Sequence, residues 1–207
     1  MRQHAIITGT GRAGTTFLVK LLTHLKLDTG YLYEEIEELI GKSSRAGLEQ
    51  GIDSENAPYI IKRPSFCTYA RDVLDKPDIS IDHVFVPVRD INDAVKSRKK
   101  VETETKRDWS LKQRLVDKFY RKISVEGGLV YTKEKDGQEK ALYEAIYNLI
   151  YELSKEQIPL TFMEFPRIVN DSKYLYEKLK PILKNISFEE FDVSFTAVAN
   201  KKLVSKF

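Results

Sequence analysis

The stretch ITGTGRAGTTFL, residues 7–18, has the composition of a loop that holds an oxyanion. Between an apolar run and a segment with helical spacing it places three glycines, one arginine and two adjacent threonines: Gly9, Gly11, Gly14, Arg12, Thr15 and Thr16. Glycine permits the backbone conformations in which several N–H groups converge on one point. Hydroxyl groups and a forked guanidinium add donors suited to tetrahedral oxyanions. The loop therefore predicts a site for phosphate or a similar anion.

This loop departs from the pattern of nucleotide triphosphatases at one position. Residues 9–14 fit the spacing G-x-x-x-x-G, but Thr15 stands where the motif G-K-[ST] has its lysine. The alternative is a tight turn whose glycines only let a helix pack on a strand. Such a turn explains neither Arg12 nor the paired threonines, so the sequence favours an anion-binding loop.

A second group of polar residues lies in FVPVRDINDAVKSRKK, residues 85–100. Arg89 directly follows an apolar run that predicts a buried strand, and Ser97 comes eight residues later in a helix-like segment. Ligands of open parallel sheets bind at the carboxyl ends of the strands, which is where Arg89 is expected. The alternative for Arg89 is a surface cation paired with Asp90 or Asp93.

Together the two groups resemble the sulfotransferases that use 3'-phosphoadenosine 5'-phosphosulfate (PAPS). The family's 5'-phosphosulfate loop has the form [K/R]-[S/A/G]-G-T-[T/R] after a strand, and RAGTT at residues 12–16 matches it. The family's 3'-phosphate motif is an arginine that ends a strand and a serine eight residues on, matched by Arg89 and Ser97. PLTFMEF at residues 159–165 is a less specific match to the family's late strand. The resemblance spans roughly residues 5–190.

The resemblance implies transfer of a sulfuryl group from PAPS to a hydroxyl or amine, which releases adenosine 3',5'-bisphosphate. Arg12 would neutralise the charge that grows on the leaving phosphate oxygen. Phe17 takes the place of a tryptophan that stacks on adenine in cytosolic members, with packing into the core as the alternative. PAPS carries no γ-phosphate and the family needs no metal for the transfer, which would account for the missing loop lysine. The implied nucleotide-binding residues are Gly11, Arg12, Ala13, Gly14, Thr15, Thr16, Phe17, Arg89 and Ser97.

An acceptor hydroxyl also needs a general base. Small-molecule members of the family use a histidine shortly after a strand that ends in lysine. Here Lys62 remains as a predicted contact to the sulfuryl group, but Pro64 stands where the histidine would fall. Golgi members place a glutamate shortly after the first helix, and GYLYEE at residues 30–35 resembles that arrangement. Glu34 or Glu35 is therefore the predicted base, and a solvated acidic face is the alternative.

The composition is that of one soluble globular domain over residues 1–207, with 42% hydrophobic and 31% charged residues. A net charge of +3 does not argue for a nucleic-acid partner. Cys67 is the only cysteine, so we expect neither an intramolecular disulfide nor a cysteine-based metal site. No apolar run is long enough to span a membrane, and the first residues lack a signal-peptide pattern. We therefore expect a cytoplasmic protein without a membrane partner.

Alternating strands and helices are needed to position these residues. Short apolar runs predict strands near residues 4–9, 58–62, 82–88 and 158–164. Residues 41–58 are expected to be a loop or a broken helix, residues 124–140 a loop or hairpin, and the C-terminal tail less regular. Helices are predicted from Thr15, over residues 32–40 and 92–100, in the second half of residues 101–122, along 142–153 and from Asp171 through Leu183. The alternation predicts an α/β protein: a three-layer α/β/α sandwich with a central parallel sheet, similar to P-loop NTPases.

Two other functions stay open at this point. A P-loop small-molecule kinase or NTPase would need a loop lysine and a metal-binding aspartate at a strand end, where this chain has Thr15 and Arg89. A non-catalytic nucleotide-binding module is the second alternative, and Arg12 together with an acidic candidate base argues against it. The acceptor, whether a small molecule, a glycan or a peptide, leaves no diagnostic pattern in the sequence.

Overall fold

The computed structural model describes residues 1–41, 46–120, 125, 127–129 and 137–200. Within them a parallel four-stranded sheet has the order β2-β1-β3-β4. Its strands are β1 (Arg2–Ile7), β2 (Ile60–Lys62), β3 (Ile79–Val88) and β4 (Leu160–Glu164). The predicted α/β class and parallel sheet are confirmed, and each strand overlaps its predicted range.

Helices follow the strands along the chain. They are α1 (Thr15–His24), α2 (Phe66–Leu74), α3 (Ile91–Arg107), α4 (Leu111–Tyr120), α5 (Gln138–Lys155), α6 (Arg167–Asn170), α7 (Ser172–Leu183) and α8 (Phe188–Val198). Asp171 caps α7 by accepting a hydrogen bond from the Tyr174 N–H at 2.9 Å, as its residue type predicts. Asp90 caps α3 in the same way through the Asp93 N–H at 3.1 Å. Arg89 and Asp90 are the two residues between β3 and α3, so the cap at Asp90 fixes the position of Arg89.

Helices cover both faces of the sheet. On one face, Ala5, Ile7 and Phe85 pack with residues of α1, α6, α7 and α8. On the other face, Ile6 and Val84 pack with residues of α2 and α5. Successive strand residues point to opposite faces, so strands buried on both sides read as continuous apolar runs. This arrangement is compatible with a three-layer α/β/α sandwich.

The prediction of a helix over residues 32–40 was wrong. The segment is a succession of turns in which the Ile36 N–H donates to Tyr33 O at 3.4 Å and the Glu38 N–H to Glu35 O at 3.1 Å. Ile36 is fully buried, whereas Leu32 and Leu39 are exposed. One buried side chain is no apolar stripe, and a short helix in water needs such a stripe to be stable.

Three helices were not predicted, one of them the single turn α6. α2 begins directly after Pro64 and Ser65, where the sequence indicated only the end of a strand. α8 lies where a less regular tail was expected, and Ser187 and Glu190 form a capping box at its start. Its buried residues Phe191, Phe195 and Val198 follow helical spacing.

Most of the expected loop or hairpin at residues 124–140 lies outside the described residues, as do residues 201–207. The last three residues of that predicted loop form the first turn of α5. Among the helices that the structure describes, none combines the length and the apolar character required to cross a membrane.

Candidate functional site

The loop between β1 and α1 is held in an unusual backbone conformation. Gly11, Arg12 and Gly14 all lie in the left-handed region, with φ angles of 69°, 59° and 84°. A Cβ atom on Gly14 would lie 3.0 Å from Ile168 Cδ1 and 3.1 Å from Phe165 Cδ2, so the site requires glycine. The left-handed conformation is energetically unfavourable for Arg12, because it has a Cβ atom. Residues in such strained backbone conformations concentrate at functional sites.

Parallel pairing brings the carboxyl ends of three strands to the same edge. Ile7, the last residue of β1, lies opposite Lys62 of β2 and Phe85 of β3. The loop that follows β1 is therefore flanked by Lys62 on one side and by Arg89, just beyond the end of β3, on the other. This is the edge at which ligands of parallel sheets bind.

The two sequence motifs meet at this edge through side-chain hydrogen bonds. Arg89 Nη1 donates to the Arg12 carbonyl oxygen at 3.3 Å. Arg12 Nε donates to Ser97 Oγ at 3.2 Å. The structure therefore brings together residues 77 and 85 positions apart in the chain.

Arg89 lies in a mostly enclosed environment. Its side chain is 5% exposed, forms a 3.7 Å ion pair with Asp93 and stacks over the Phe165 ring at 5.1 Å. Burial lowers the pKa of Arg89, and the Asp93 carboxylate opposes that shift. The Asp93 pair proposed as the alternative for Arg89 is thus present, in addition to the contact with the loop. Ser97 is buried as well.

Arg98 is a residue of the site that the sequence analysis missed. It is buried, lines the same cavity, and donates to Thr10 O from Nη2 and to Gly128 O from Nη1. Burial, with a further contribution from nearby Arg12, lowers the pKa of Arg98 to about 10. A sequence signal existed, because Arg98 occupies the buried face of α3 between Ala94 and Val101.

Lys62 also reaches the loop. Its side chain is 2% exposed, and Nζ lies 3.4 Å from Thr16 Oγ1 and 3.6 Å from Glu49 Oε1. Thr15 is buried at the first turn of α1. Lys62, the predicted contact of the sulfuryl group, therefore lies beside Thr16 of the loop and beside the Glu49 carboxylate.

Glu34 and Glu35, the predicted bases, are exposed and do not line the cavity. The carboxylates that do line it are Glu37, which pairs with Lys20, and Glu49, which pairs with Lys62. The structure thus does not bring Glu34 or Glu35 to the loop, although Tyr33, Glu37 and Ile40 of the same segment do line the cavity.

The aromatic and histidine residues considered in the sequence analysis differ in their position relative to the cavity. Phe17 lines the cavity and also packs edge-on against Phe195, with ring centroids 5.9 Å apart. Phe17 therefore packs into the core, as the alternative predicted, and also faces the cavity. His4, His24 and His83 lie outside the cavity lining, whereas Pro64 is part of it.

The cavity has a volume of about 1270 Å³ and runs along the carboxyl edge of the sheet. Its cationic lining residues are Arg12, Lys20, Lys62, Arg89 and Arg98. The N-terminus of α1 adds positive potential at the loop. Such a lining suits a ligand with more than one anionic group. In the described ranges, no group of three or more His, Cys, Asp or Glu side chains is placed to hold a metal ion.

The chain was compared with protein-family models, with curated proteins and with solved structures. None of the three comparisons finds a match. The function is therefore inferred from the geometry of this site and from the motifs that build it.

Proposed function

We propose that this protein is a PAPS-dependent sulfotransferase with a P-loop-like fold, which moves a sulfuryl group to a hydroxyl or amine of an acceptor. One observation carries the proposal: Arg12, Ser97 and Arg89 form a single hydrogen-bonded cluster at the carboxyl edge of the sheet. The resemblance requires such a cluster, because the 5'-phosphosulfate loop and the 3'-phosphate motif must bind one nucleotide.

The residues present fit this co-substrate. The turn around Gly11, Arg12 and Gly14 and the start of α1 suit the 5'-phosphate, and Thr15 and Thr16 supply hydroxyl groups. Arg89 and Ser97 would hold the 3'-phosphate. A cavity of about 1270 Å³ exceeds the usual size of a site for one small ligand, so it has room for an acceptor as well.

Charge stabilisation is the main contribution of the protein to the transfer. Bound PAPS supplies an activated sulfuryl group, and charge develops on the 5'-phosphate oxygen as that group leaves. Arg12 and the N-terminus of α1 stabilise this charge from positions that the fold sets in advance. Lys62, 3.4 Å from Thr16 Oγ1, is placed to contact the sulfuryl oxygens.

Glu49 is the carboxylate that the geometry favours as general base. It lies on the cavity wall 3.6 Å from Lys62 Nζ, and its side chain is 30% exposed. Glu34 and Glu35 lie exposed outside that wall, so they serve as comparisons in the test of this role. A carboxylate beside the acceptor takes up the proton as the oxygen–sulfur bond forms.

The proposal is tested by equilibrium binding of three nucleotides to the wild-type chain. We expect PAPS and adenosine 3',5'-bisphosphate to bind at least about tenfold more tightly than ATP with magnesium, about 1.4 kcal/mol, because only they carry the 3'-phosphate. Equal or tighter binding of ATP with magnesium, accompanied by hydrolysis, would indicate a kinase or NTPase. Tight binding of PAPS without sulfation across hydroxyl, amine and glycan acceptors would indicate a non-catalytic module.

A further inference from the structure

Arg98 is a buried cation that the proposed mechanism does not use. It is 9% exposed, and among the described residues no carboxylate forms an ion pair with it. The titratable groups near it are Arg12, which is another cation, and the Cys67 thiol. Its Nε is buried without a hydrogen-bond partner.

An arginine in such a position is costly for the fold. Removing a charge from water is unfavourable unless an opposite charge and hydrogen bonds compensate for it. The hydrogen bonds from Arg98 to Thr10 O and Gly128 O satisfy two of its nitrogens but supply no negative charge. Among the described residues no carboxylate compensates this charge, and an anion bound in the cavity would do so.

The loop wraps closely around the Arg98 guanidinium. A Cβ atom on Gly11 would lie only 2.9 Å from Arg98 Nη2, so glycine lets the loop approach the cation. Arg98 also reaches the segment 127–129, where Glu102, one turn further along α3, accepts a hydrogen bond from the Leu129 N–H at 3.1 Å. Arg98 thus contacts two walls of the cavity at once.

We propose that Arg98 is an anion-binding residue of this cavity, whose charge is balanced by the phosphate or sulfate group of the bound ligand. The inference deepens the proposed function by adding a third arginine to the nucleotide site. It rests on the proposed function in one respect, namely that the ligand binds in this cavity. It extends to any ligand of this anion class that the loop holds.

The test measures binding of inorganic pyrophosphate and of adenosine 3',5'-bisphosphate by calorimetry at constant ionic strength. We expect Arg98→Met to weaken the binding of both probes by about 10- to 100-fold, the range for a lost charge-assisted hydrogen bond. Arg98→Lys keeps the charge and should lose less than Arg98→Met. Lys99→Met is the matched control, because it removes one exposed positive charge from the same helix, and we expect less than about a threefold change.

A second measurement does not depend on the stability of Arg98→Met. Cys67 is the only cysteine of the chain, lies buried with Sγ 3.7 Å from Gly9 O, and lines the same cavity. We expect pyrophosphate to slow chemical modification of this thiol at least about threefold in the wild type, since an anion bound beside Arg98 shields the cavity wall on which Cys67 lies. Arg98→Lys should retain part of this protection, and an unfolded Arg98→Met variant would leave the result intact.

The outcomes separate this inference from the proposed function. If pyrophosphate binds in an Arg98-dependent manner and the bisphosphate nucleotide does not bind, Arg98 keeps its role and the sulfotransferase proposal fails. If Arg98→Met folds and binds both probes as the wild type does, the role of Arg98 is overturned and the nucleotide proposal is untouched. Failure of both probes to bind the wild type overturns both.

Discussion

At the scale of single residues, Arg12 connects the two halves of the candidate site. Its backbone lies in the left-handed region, its carbonyl accepts a hydrogen bond from Arg89, and its Nε donates to Ser97. Each contact depends on a different part of the chain. A change at Arg89 or Ser97 is therefore expected to affect the loop as well as the binding of the ligand. The effect of a substitution on the 3'-phosphate is obtained by comparing the affinities of two nucleotides that differ by that phosphate.

The first residue-scale prediction concerns Arg89. Arg89→Ala should weaken adenosine 3',5'-bisphosphate by about 1.5–3 kcal/mol and adenosine 5'-phosphate much less, because a charge-assisted contact to the 3'-phosphate is lost. Calorimetric titration of both nucleotides gives the difference. Arg71→Ala is the control, since Arg71 is an exposed arginine paired with Asp75. Equal weakening of the two nucleotides by Arg89→Ala would show that Arg89 only supports the loop.

The second residue-scale prediction concerns the general base. Glu49→Gln should lower single-turnover sulfation by about 10²–10⁴-fold while binding of PAPS stays within about threefold, because glutamine keeps the shape but accepts no proton. Glu34→Gln and Glu35→Gln are the matched comparisons, and both should stay near the wild-type rate, since these side chains are exposed outside the cavity. A large loss of the sulfation rate in Glu34→Gln or Glu35→Gln, with Glu49→Gln unaffected, would show that the base is the glutamate predicted from the sequence and not Glu49.

At the scale of elements, the start of α1 sets the shape of the loop. Gly14 is the N-cap residue of α1 at φ 84°, and it packs directly below Phe165 and Ile168. Phe165 in turn lies under the Arg89 guanidinium. The Phe165 ring thus packs against both the start of α1 and Arg89, so the position of α1 affects the position of Arg89. The absence of a Cβ at Gly14 makes the contact with this ring possible.

Gly14→Ala tests this packing. The substitution should lower the free energy of unfolding by about 1–3 kcal/mol, because alanine is strained at this φ and its methyl group would overlap Ile168 and Phe165. Urea denaturation measures the change. Gly51→Ala is the control, since a Cβ there meets no atom within 4 Å, and it should change stability by less than about 0.5 kcal/mol. Equal changes in the two variants would contradict a specific packing role for Gly14.

At the scale of the whole molecule, the site lies where two halves of the fold meet. The loop after β1 leads into the core formed with α1, α6, α7 and α8, whereas Cys67 of α2 and Ala145 of α5 line the cavity from the other core. A ligand that fills the cavity contacts both cores. Binding should therefore stabilise the whole described fold and not only the loop.

This linkage can be measured by thermal unfolding. Adenosine 3',5'-bisphosphate at about 100 times its Kd should add about 2.7 kcal/mol of stability, which raises the Tm of a chain of this size by about 5–10 °C. Adenosine 5'-phosphate at the same concentration should give a smaller rise, since it lacks the 3'-phosphate. An equal rise with both nucleotides, or an undiminished rise in Arg89→Ala at the same nucleotide concentration, would contradict the assignment of the 3'-phosphate to Arg89.

Local patterns in the sequence determined the four strands, the cap of α7, and the two motifs of the site. Apolar runs such as residues 83–88 identify buried strands, and the order of strand, glycine-rich loop and helix places Arg12 and Arg89 at the carboxyl ends of their strands. These features depend on neighbours in the chain and on the rule that parallel strands end at a common edge.

Only the tertiary structure decided which charges share the cavity. Arg98 belongs to the site because α3 packs its buried face against the loop, and Glu49 belongs to it because an irregular segment brings it to Lys62 at the end of β2. Residues 32–40 form turns and not a helix, and Ile36 is the one fully buried side chain of this segment, with Ile40 packed beside the core. Each of these outcomes depends on contacts between distant parts of the chain, and the energy of burying a charge or an apolar side chain is set by those contacts and not by its neighbours in sequence.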